Sequence, residues 1–294
     1  MRLKEVKLGL SFVTYLVMLA LITNLWFSIY WYSEDKPFDI TPRNPKAFVS
    51  LLSLAGHEAP ALSSNYTTSL CKLAVSFKAN GGHGHDFILL VVGPLSKLAD
   101  AHMLIRAGWL IVPADGIGQP LMYYYQSNKY SLSQMYSKFQ IWRLTSYEHV
   151  TYVDSDTIVL RDPMPALNKA YSMVNGDIPG LVIDLGFCID FYFNAGCMVV
   201  RPSIKVYRDL LFYRNWRFYN PGMAEQEFLN VFYKGELVSL PRELNVPAYY
   251  YNDSCRFADT TKTVIAHYNG ESKPWLTNCT SHPVCRYWHQ TPLY

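Results

Sequence analysis

Apolar residues in this chain fall into three arrangements, each predicting a different kind of element. The first is one long run without charge, Leu8 to Ser33 (LGLSFVTYLVMLALITNLWFSIYWYS), long enough to cross a bilayer as a helix. The second is a set of short runs that read as buried strands: Ala47–Leu54 (AFVSLLSL), Phe87–Val92 (FILLVV), Trp109–Val112 and Thr151–Val153. The third is helical spacing, which predicts helices over Asn65–Lys78, over Pro94–Gly108 with Gly108 as the stop, and over Ser131–Ser146. Downstream, Asp190–Val200 is strand-like around a glycine-containing bend, and Pro202–Trp216 reads as a helix opened by its proline. Gly222–Tyr233 reads as a further helix and Thr263–His267 as a last short strand. Strands separated by helices of this length predict an α/β domain whose parallel sheet is covered on both faces.

The flanks of the long run give it a direction. Arg2, Lys4 and Lys7 precede it and Glu34 and Asp35 follow, so the positive-inside rule places the N-terminus in the cytosol and the bulk of the chain in a lumen or outside the cell. Trp26 and Trp31 sit toward its far end, where amphipathic rings favour the headgroup layer. A cleaved signal peptide has an apolar core of about 7–15 residues and a small-residue cleavage site. This run is longer and has no clear site, so it reads as a retained anchor. The expected organisation is a cytosolic tail (1–7), a transmembrane anchor (8–32), a proline-containing stem (33–46) and one domain (47–294).

Composition narrows the picture further. A net charge of +3 on 294 residues, with no Lys/Arg block after the stem, gives nucleic-acid binding no support. Six cysteines suit an oxidising lumen; Cys279 and Cys285 are the pair closest together in the tail, with Cys255 another disulfide candidate. No paired C-x-x-C spacing favours zinc. Asn65-Tyr66-Thr67, Asn252-Asp253-Ser254 and Asn278-Cys279-Thr280 are glycosylation sequons.

The chemistry begins at Tyr152-Val153-Asp154-Ser155-Asp156-Thr157, where two acids fall at the end of a predicted buried strand. Such a pair can hold a divalent cation, although an isolated Asp-x-Asp also describes an ordinary strand-end turn. In α/β sheets ligands bind beyond the carboxyl ends of strands, which favours the cation. A cation there could carry a diphosphate, the leaving group when a glycosyl unit moves from a nucleotide sugar. His267 can add a third ligand, and a nitrogen ligand favours Mn2+ over Mg2+ or Ca2+. Lys273, past a glycine-containing loop, can add fixed positive charge. His83, His85 and Asp86 read as a solvated loop before a strand, Cys188 and Cys197 as buried thiols, and the tyrosine trios Tyr123–Tyr125 and Tyr249–Tyr251 as packing at loop bases.

Four ordered blocks carry a family resemblance: Lys138–Leu160 (KFQIWRLTSYEHVTYVDSDTIVL), Phe193–Ser203 (FNAGCMVVRPS), Glu225–Asn230 (EQEFLN) and Ile265–Trp275 (IAHYNGESKPW). The chain resembles the glycogenin-like retaining glycosyltransferases of family 8. The resemblance implies a GT-A-like, Rossmann-like nucleotide-diphospho-sugar transferase domain. It implies that Asp154, Asp156 and His267 bind the ion, with Asp154 also near the donor ribose. Gly270 and Lys273 would meet the diphosphate, with Lys138 near the donor sugar and phosphates. Asn194, Ala195 and Gly196 would line the sugar pocket, and Glu225-Gln226 stands where the family has Asp-Gln. Ser53 and Tyr66 are the nearest matches for the residues that hold uracil in relatives; a glycan on Asn65 would crowd a nucleotide at Tyr66.

The function expected is a Mn2+-dependent, retaining hexosyltransferase, anchored in a Golgi or endoplasmic reticulum membrane. It would move glucose, galactose, N-acetylglucosamine or glucuronic acid from a UDP-sugar to a glycan, glycoprotein or glycolipid. Asp190 and Glu225 are possible carboxylates at the reacting carbon, and the nucleophile stays unassigned. Two rivals stand beside this reading. One is an anchored UDP-sugar- or glycan-binding module without catalysis. The other is a D-x-D-x-T phosphatase, which expects its motif after the domain's first strand.

Overall fold

The computed structural model describes residues 14–15, 17–19, 35–54, 59–98, 100–120, 134–184, 192–248, 261–270, 273–276 and 283–294. The chain divides into two units, Met1–Pro37 and Phe38–Tyr294. Most of the expected anchor, 8–32, lies outside the described residues; no helix among those described is long and apolar enough to cross a membrane.

The second unit is built on a seven-stranded sheet. Its strands are β1 (Lys46–Ser53), β2 (His85–Val92), β3 (Leu110–Ala114), β4 (His149–Val153), β6 (Gly180–Ile183), β7 (Phe193–Val200) and β8 (Val238–Ser239), in the order β3-β2-β1-β4-β7-β6-β8. A smaller sheet joins β5 (Thr157–Val159), β10 (Ile265–His267) and β9 (Val246–Pro247) in the order β5-β10-β9. The helices are α1 (Ala59–Ala79), α2 (Ala101–Ala107), α3 (Met164–Met173), α4 (Ile204–Tyr213), α5 (Ala224–Phe232) and α6 (Pro283–Gln290).

Alternation along the strands divides the core between the two faces of the sheet. Phe48 and Leu52 of β1, with Phe87, Leu89 and Val91 of β2, pack on one face with Leu70, Leu73 and Phe77 of α1. Ala47 and Val49, with Ile88 and Leu90, pack on the other with Phe139, Trp142, Phe228 and Leu229. Both faces are therefore covered, as the unbroken apolar runs imply.

The sheet is mixed and not wholly parallel. β1 pairs parallel with β2 and β4, but β7 runs antiparallel to both β4 and β6. Nine residues (184–192) separate β6 from β7, fewer than the dozen or more that a parallel crossover needs. A fully buried strand carries no alternation that encodes direction, so the sequence is silent on this point.

Three predicted helices change form. The one expected over Pro94–Gly108 splits into a 3-10 turn (Leu95–Lys97) and α2, with Asp100 between them at φ 55°. The one expected over Ser131–Ser146 is described as a 3-10 segment, Met135–Arg143, while residues 121–133 lie outside the description. Its polar side chains are buried and bond to the segment after β3: Ser137 Oγ accepts from Ile117 N at 2.9 Å and Gln140 Nε2 donates to Asp115 O at 2.8 Å. The helix expected from Gly222 begins at Ala224, after a 3-10 turn over Pro221–Met223. The helix expected from Pro202 is capped by Ser203, whose Oγ accepts from Val206 N at 3.3 Å. α3, β5, β6 and α6 were not expected from the apolar pattern, being short or weakly periodic.

Cys197 is a buried free thiol, its pKa pushed up to about 12 by burial and by Asp154. Cys285 is disulfide-bonded, while Cys188, Cys255 and Cys279 lie outside the described residues, as do Asp190, Tyr123–Tyr125 and Tyr249–Tyr251. His83 and His85 bond Gly81 O and His83 O, and Asp86 accepts from Asn44 and Tyr147, at the amino end of the sheet.

Candidate active site

The end of β4 sets the position of Asp154. Its N–H donates to Gly196 O of β7 at 2.9 Å, continuing the antiparallel pairing one residue past the strand. Thr157 Oγ1 donates to Asp154 O at 2.7 Å, and Tyr152 OH donates to Asp154 Oδ1 at 2.7 Å. These bonds hold the turn through Ser155 so that both acids are fixed by backbone as well as side chain.

His267 arrives through the small sheet. In the antiparallel β5–β10 pair it lies opposite Thr157, and Tyr268 N donates to Asp156 O at 2.8 Å. Its Nε2 is 3.3 Å from Asp156 Oδ1 and 3.6 Å from Asp154 Oδ2. One donor atom from each of Asp154, Asp156 and His267 lies within 4.8 Å of the others. The remaining oxygens are held by cations: Lys273 Nζ bonds Asp156 Oδ2 and donates to Tyr268 O at 2.7 Å, and Lys138 Nζ is 2.9 Å from Asp154 Oδ1. Burial alone would raise the Asp156 pKa, but His267 and Lys273 outweigh it and hold the carboxyl well below the usual range.

A chain of amides fixes the ring of His267. The backbone N–H of Gly196 donates to Asn194 Oδ1 at 2.7 Å, which identifies that atom as oxygen. Asn245 Nδ2 donates to the same oxygen at 2.8 Å, so Asn245 Oδ1 is the atom 2.9 Å from His267 Nδ1. An amide oxygen only accepts, so Nδ1 carries a hydrogen and Nε2 is the ring atom turned toward the two acids. Two carboxylate oxygens and a neutral imidazole nitrogen suit a divalent ion of borderline softness, with Asn245 in the outer shell that orients the ligand. Gly196 makes room for this ring: a Cβ there would lie 2.4 Å from His267 Cε1 and 2.7 Å from Nδ1.

The network continues to the opposite wall. Asn194 Nδ2 and Gln226 Nε2 donate to Asp184 Oδ2 at 3.0 and 3.1 Å, and Gln226 Oε1 accepts from Ala195 N at 3.1 Å. A register shift between Leu181 and Val182 in the β6–β7 pair precedes Asp184. Lys138 bridges the two sides, 2.7 Å from Glu225 Oε1, and both residues are buried. Burial would lower the Lys138 pKa, but Asp154 and Glu225 outweigh it and raise it. Just before Glu225, Ala224 adopts φ 47°, a left-handed conformation uncommon for a residue with a Cβ and most frequent at functional sites.

A cavity of about 400 Å³ opens between these walls. Lys138, Asp154, Asp156, Asn194, Gly196, Glu225, Gln226, His267, Gly270 and Lys273 all line it, bringing together nearly every site residue expected from sequence. Gly270 has φ 64°, which glycine adopts without strain. Ser53 and Tyr66 are not among its lining residues. Ser53 ends β1, opposite Val92; Tyr66 packs edge-on against Trp275 at 5.0 Å. Burial chiefly, and then the charges of Asp156 and Asp154, raise the Tyr66 phenol pKa, so this ring stands near the acids. Asn65 lies within α1 and Thr67 of its sequon is buried. Sequence reasoning missed Asp184 and Asn245. Asp184 had a weak signal, an acid closing the apolar run Leu181–Ile183, whereas Asn245 sits in a segment without any pattern.

Known proteins share part of this sequence and its fold. The family model "Glycosyl transferase family 8" matches residues 189–279, which carry Asn194, Gly196, Glu225, Gln226, His267, Gly270 and Lys273. The chain is 27% identical over 270 residues to UDP-glucuronate:xylan alpha-glucuronosyltransferase 2 of Arabidopsis thaliana, covering 86% of this chain and 40% of that protein. It is 26% identical over 221 residues to galactinol synthase 2 of Solanum lycopersicum, covering 63% of each. The chain thus spans less than two thirds of the length of these relatives. In fold it is similar to the galactosyltransferase LgtC, solved in complex with donor and acceptor sugar analogs, with a TM-score of 0.57, 20% identity and coverage of 83% of this chain and 94% of that one. The matched segment and these relatives make the chain similar to glycosyltransferase family 8, and its fold is GT-A-like, similar to that of LgtC.

Proposed function

We propose that the chain transfers a hexosyl group from a UDP-sugar to a glycan-bearing acceptor, with retention of configuration, using Mn2+. The observation that carries this reading is the convergence of Asp154, Asp156 and His267 on one wall of a cavity whose other wall is Asp184, Asn194, Glu225 and Gln226. Mn2+ at the three ligands would act as a Lewis acid toward the departing diphosphate. Lys273 supplies fixed positive charge beside it, and the Gly270 turn lets backbone approach the phosphates. Asn194 and Gln226, each locked to Asp184, are preorganised to receive sugar hydroxyls without reorganising during the reaction.

The charge of the cavity bears on the donor. Its described lining has four acids (Asp154, Asp156, Asp184, Glu225) and two lysines (Lys138, Lys273), and each lysine already faces an acid. A glucuronate carboxylate would meet acids on the sugar side, so this balance favours an uncharged hexose: glucose, galactose or N-acetylglucosamine. The names of the relatives include a UDP-glucuronate enzyme, which makes the donor a direct point of test. We further propose that 8–32 anchors the chain in a Golgi or endoplasmic reticulum membrane with the catalytic unit in the lumen, a reading supported by the charge asymmetry around that run.

UDP release by the purified protein, offered a panel of UDP-sugars with Mn2+ or with chelator, tests the assignment. Chelator-sensitive release with one uncharged hexose is the expected result. Release with UDP-glucuronate alone would overturn the donor argument, and tight UDP binding without release from any donor or acceptor would favour a binding module.

A further inference from the structure

Two lysines face the acids of the metal wall, and they are held differently. Lys138 is buried between Asp154 and Glu225, with a carboxylate oxygen at 2.9 Å on one side and at 2.7 Å on the other. Lys273 bonds Asp156 Oδ2, and its Nζ donates to Tyr268 O at 2.7 Å. Its backbone is secured from the far side. Leu276 N donates to Lys273 O at 3.0 Å, and the ring of Trp275 packs on those of Tyr66 and Trp288 at 5.0 and 5.9 Å. The ammonium, by contrast, ends a flexible four-carbon stem, so it can change partners while the backbone stays in place. It lines the cavity together with Gly270, on the side assigned above to the diphosphate.

That ammonium sits on a carboxylate that a cation needs. Asp156 offers Oδ1, 3.3 Å from His267 Nε2, and Oδ2, which Lys273 takes. The positive charge of Lys273 cancels the charge of Asp156 that would otherwise draw a divalent ion to the cluster of Asp154, Asp156 and His267. It also repels the ion directly, at a separation of a few ångströms and in a cavity poorer in water than the surface. A diphosphate reverses both effects. It brings several negative charges and strong acceptor oxygens, to which Nζ can turn from Asp156, and the freed carboxylate is then available to the ion. Each ligand removes the other's obstacle, and linkage makes that coupling equal in both directions.

We propose that Lys273 is a latch on Asp156 that makes the cation and the diphosphate bind as a pair: its ammonium opposes a cation arriving alone and moves to the phosphates when both are present. This rests on the reading of Asp154, Asp156 and His267 as the ion site of a UDP-sugar transferase. A lysine that served the phosphates alone would add to UDP affinity and leave the affinity for the lone ion unchanged.

The test titrates free Mn2+ by its EPR signal against the full chain, alone, with saturating UDP and with uridine, after subtracting the Mn2+ that UDP itself binds. The parent is compared with Lys273→Met, which keeps the stem and loses the charge. UDP should tighten Mn2+ binding by the parent about tenfold or more, while uridine, which has no phosphate, should not. Lys273→Met should bind Mn2+ alone about tenfold more tightly than the parent and gain less from UDP, the remaining gain being direct attraction between ion and phosphate. Lys273→Arg keeps the charge and should restore weak binding of the lone ion. Lys273→Gln repeats the comparison if circular dichroism shows the methionine variant unfolded. Lone-ion affinity no higher than the parent's in a folded, charge-free variant overturns the latch and leaves the ion site standing. The same gain from UDP in parent and variant, or a gain from uridine equal to that from UDP, also overturns it. Absence of Mn2+ binding by parent and variant alike, with or without UDP, overturns the ion site and the latch with it.

Discussion

Asn245 touches neither the cavity nor either acid, yet it decides which nitrogen His267 turns toward them. Outer-shell partners of this kind are worth about 10–100-fold in metal affinity. Asn245→Ala is therefore expected to weaken Mn2+ binding by about that factor, read by titrating the EPR signal of free Mn2+, with the fold intact by circular dichroism. An unchanged affinity would show that the bond to Asn245 does not orient the His267 ring for the ion. Asp156→Asn acts more directly: it removes a carboxylate of the candidate metal cluster and also the partner of Lys273. Mn2+ binding should fall below detection and unfolding free energy should drop by about 2 kcal/mol, the worth of a buried hydrogen bond to a charged group. Retained Mn2+ affinity would remove Asp156 from the site. At this scale the Asp154, Asp156 and His267 cluster and the lysines beside it were legible in sequence, because few side chains besides acids, histidine and lysine could serve a metal-diphosphate site. Asn245 was not, since an amide in an irregular segment is equally at home in any turn.

The element that does most to shape the cavity is the 3-10 segment Met135–Arg143, because it delivers Lys138 between Asp154 and Glu225. Its apolar spacing predicted an amphipathic helix, but burial of nearly every side chain leaves no solvent face for an amphipathic pattern to describe. Lys138→Met leaves Glu225 buried without its cation, which is expected to cost about 3–5 kcal/mol in urea unfolding. Adding Glu225→Gln to that variant should recover most of the loss, as a double-mutant cycle would record. Additive losses would mean that the two residues stabilise the fold separately. The start of α5 shows the same limit of sequence: Glu225 and Gln226 could be identified as a pair, but the strained turn at Ala224 that aims them could not.

Across the whole molecule, the sheet keeps its chemistry at one end and a buried histidine at the other. His85 starts β2, with Nδ1 2.6 Å from His83 O and Nε2 2.6 Å from Tyr171 OH, which in turn lies 2.7 Å from Thr151 Oγ1. Burial lowers its pKa from 6.5 to about 4, with the Lys46 charge adding to that shift. The folded state thus favours the neutral ring, so the stabilisation is present above the unfolded value and is lost as the pH falls from 6.5 toward 4. A shift of this size corresponds to about 3 kcal/mol. Unfolding free energy should fall by that order between about pH 7 and pH 4, and His85→Gln should flatten the profile. An unchanged slope in that variant would assign the acid sensitivity elsewhere.

Sequence by itself pointed to the buried strands β1, β2 and β4, to the carboxyl-end position of Asp154 and Asp156, and to His267 and Lys273 as candidate partners beside them. Those follow from local periodicity and from what each side chain can do chemically. Only the tertiary structure decided that β7 runs antiparallel, that Asn194 links Asp184 to Asn245 and so to His267, and that α4 leaves Phe212 and Tyr213 exposed. Strand direction, amide partners and exposure depend on segments far apart in the chain, and a buried apolar run or a lone asparagine has the same local pattern whichever partner it finds.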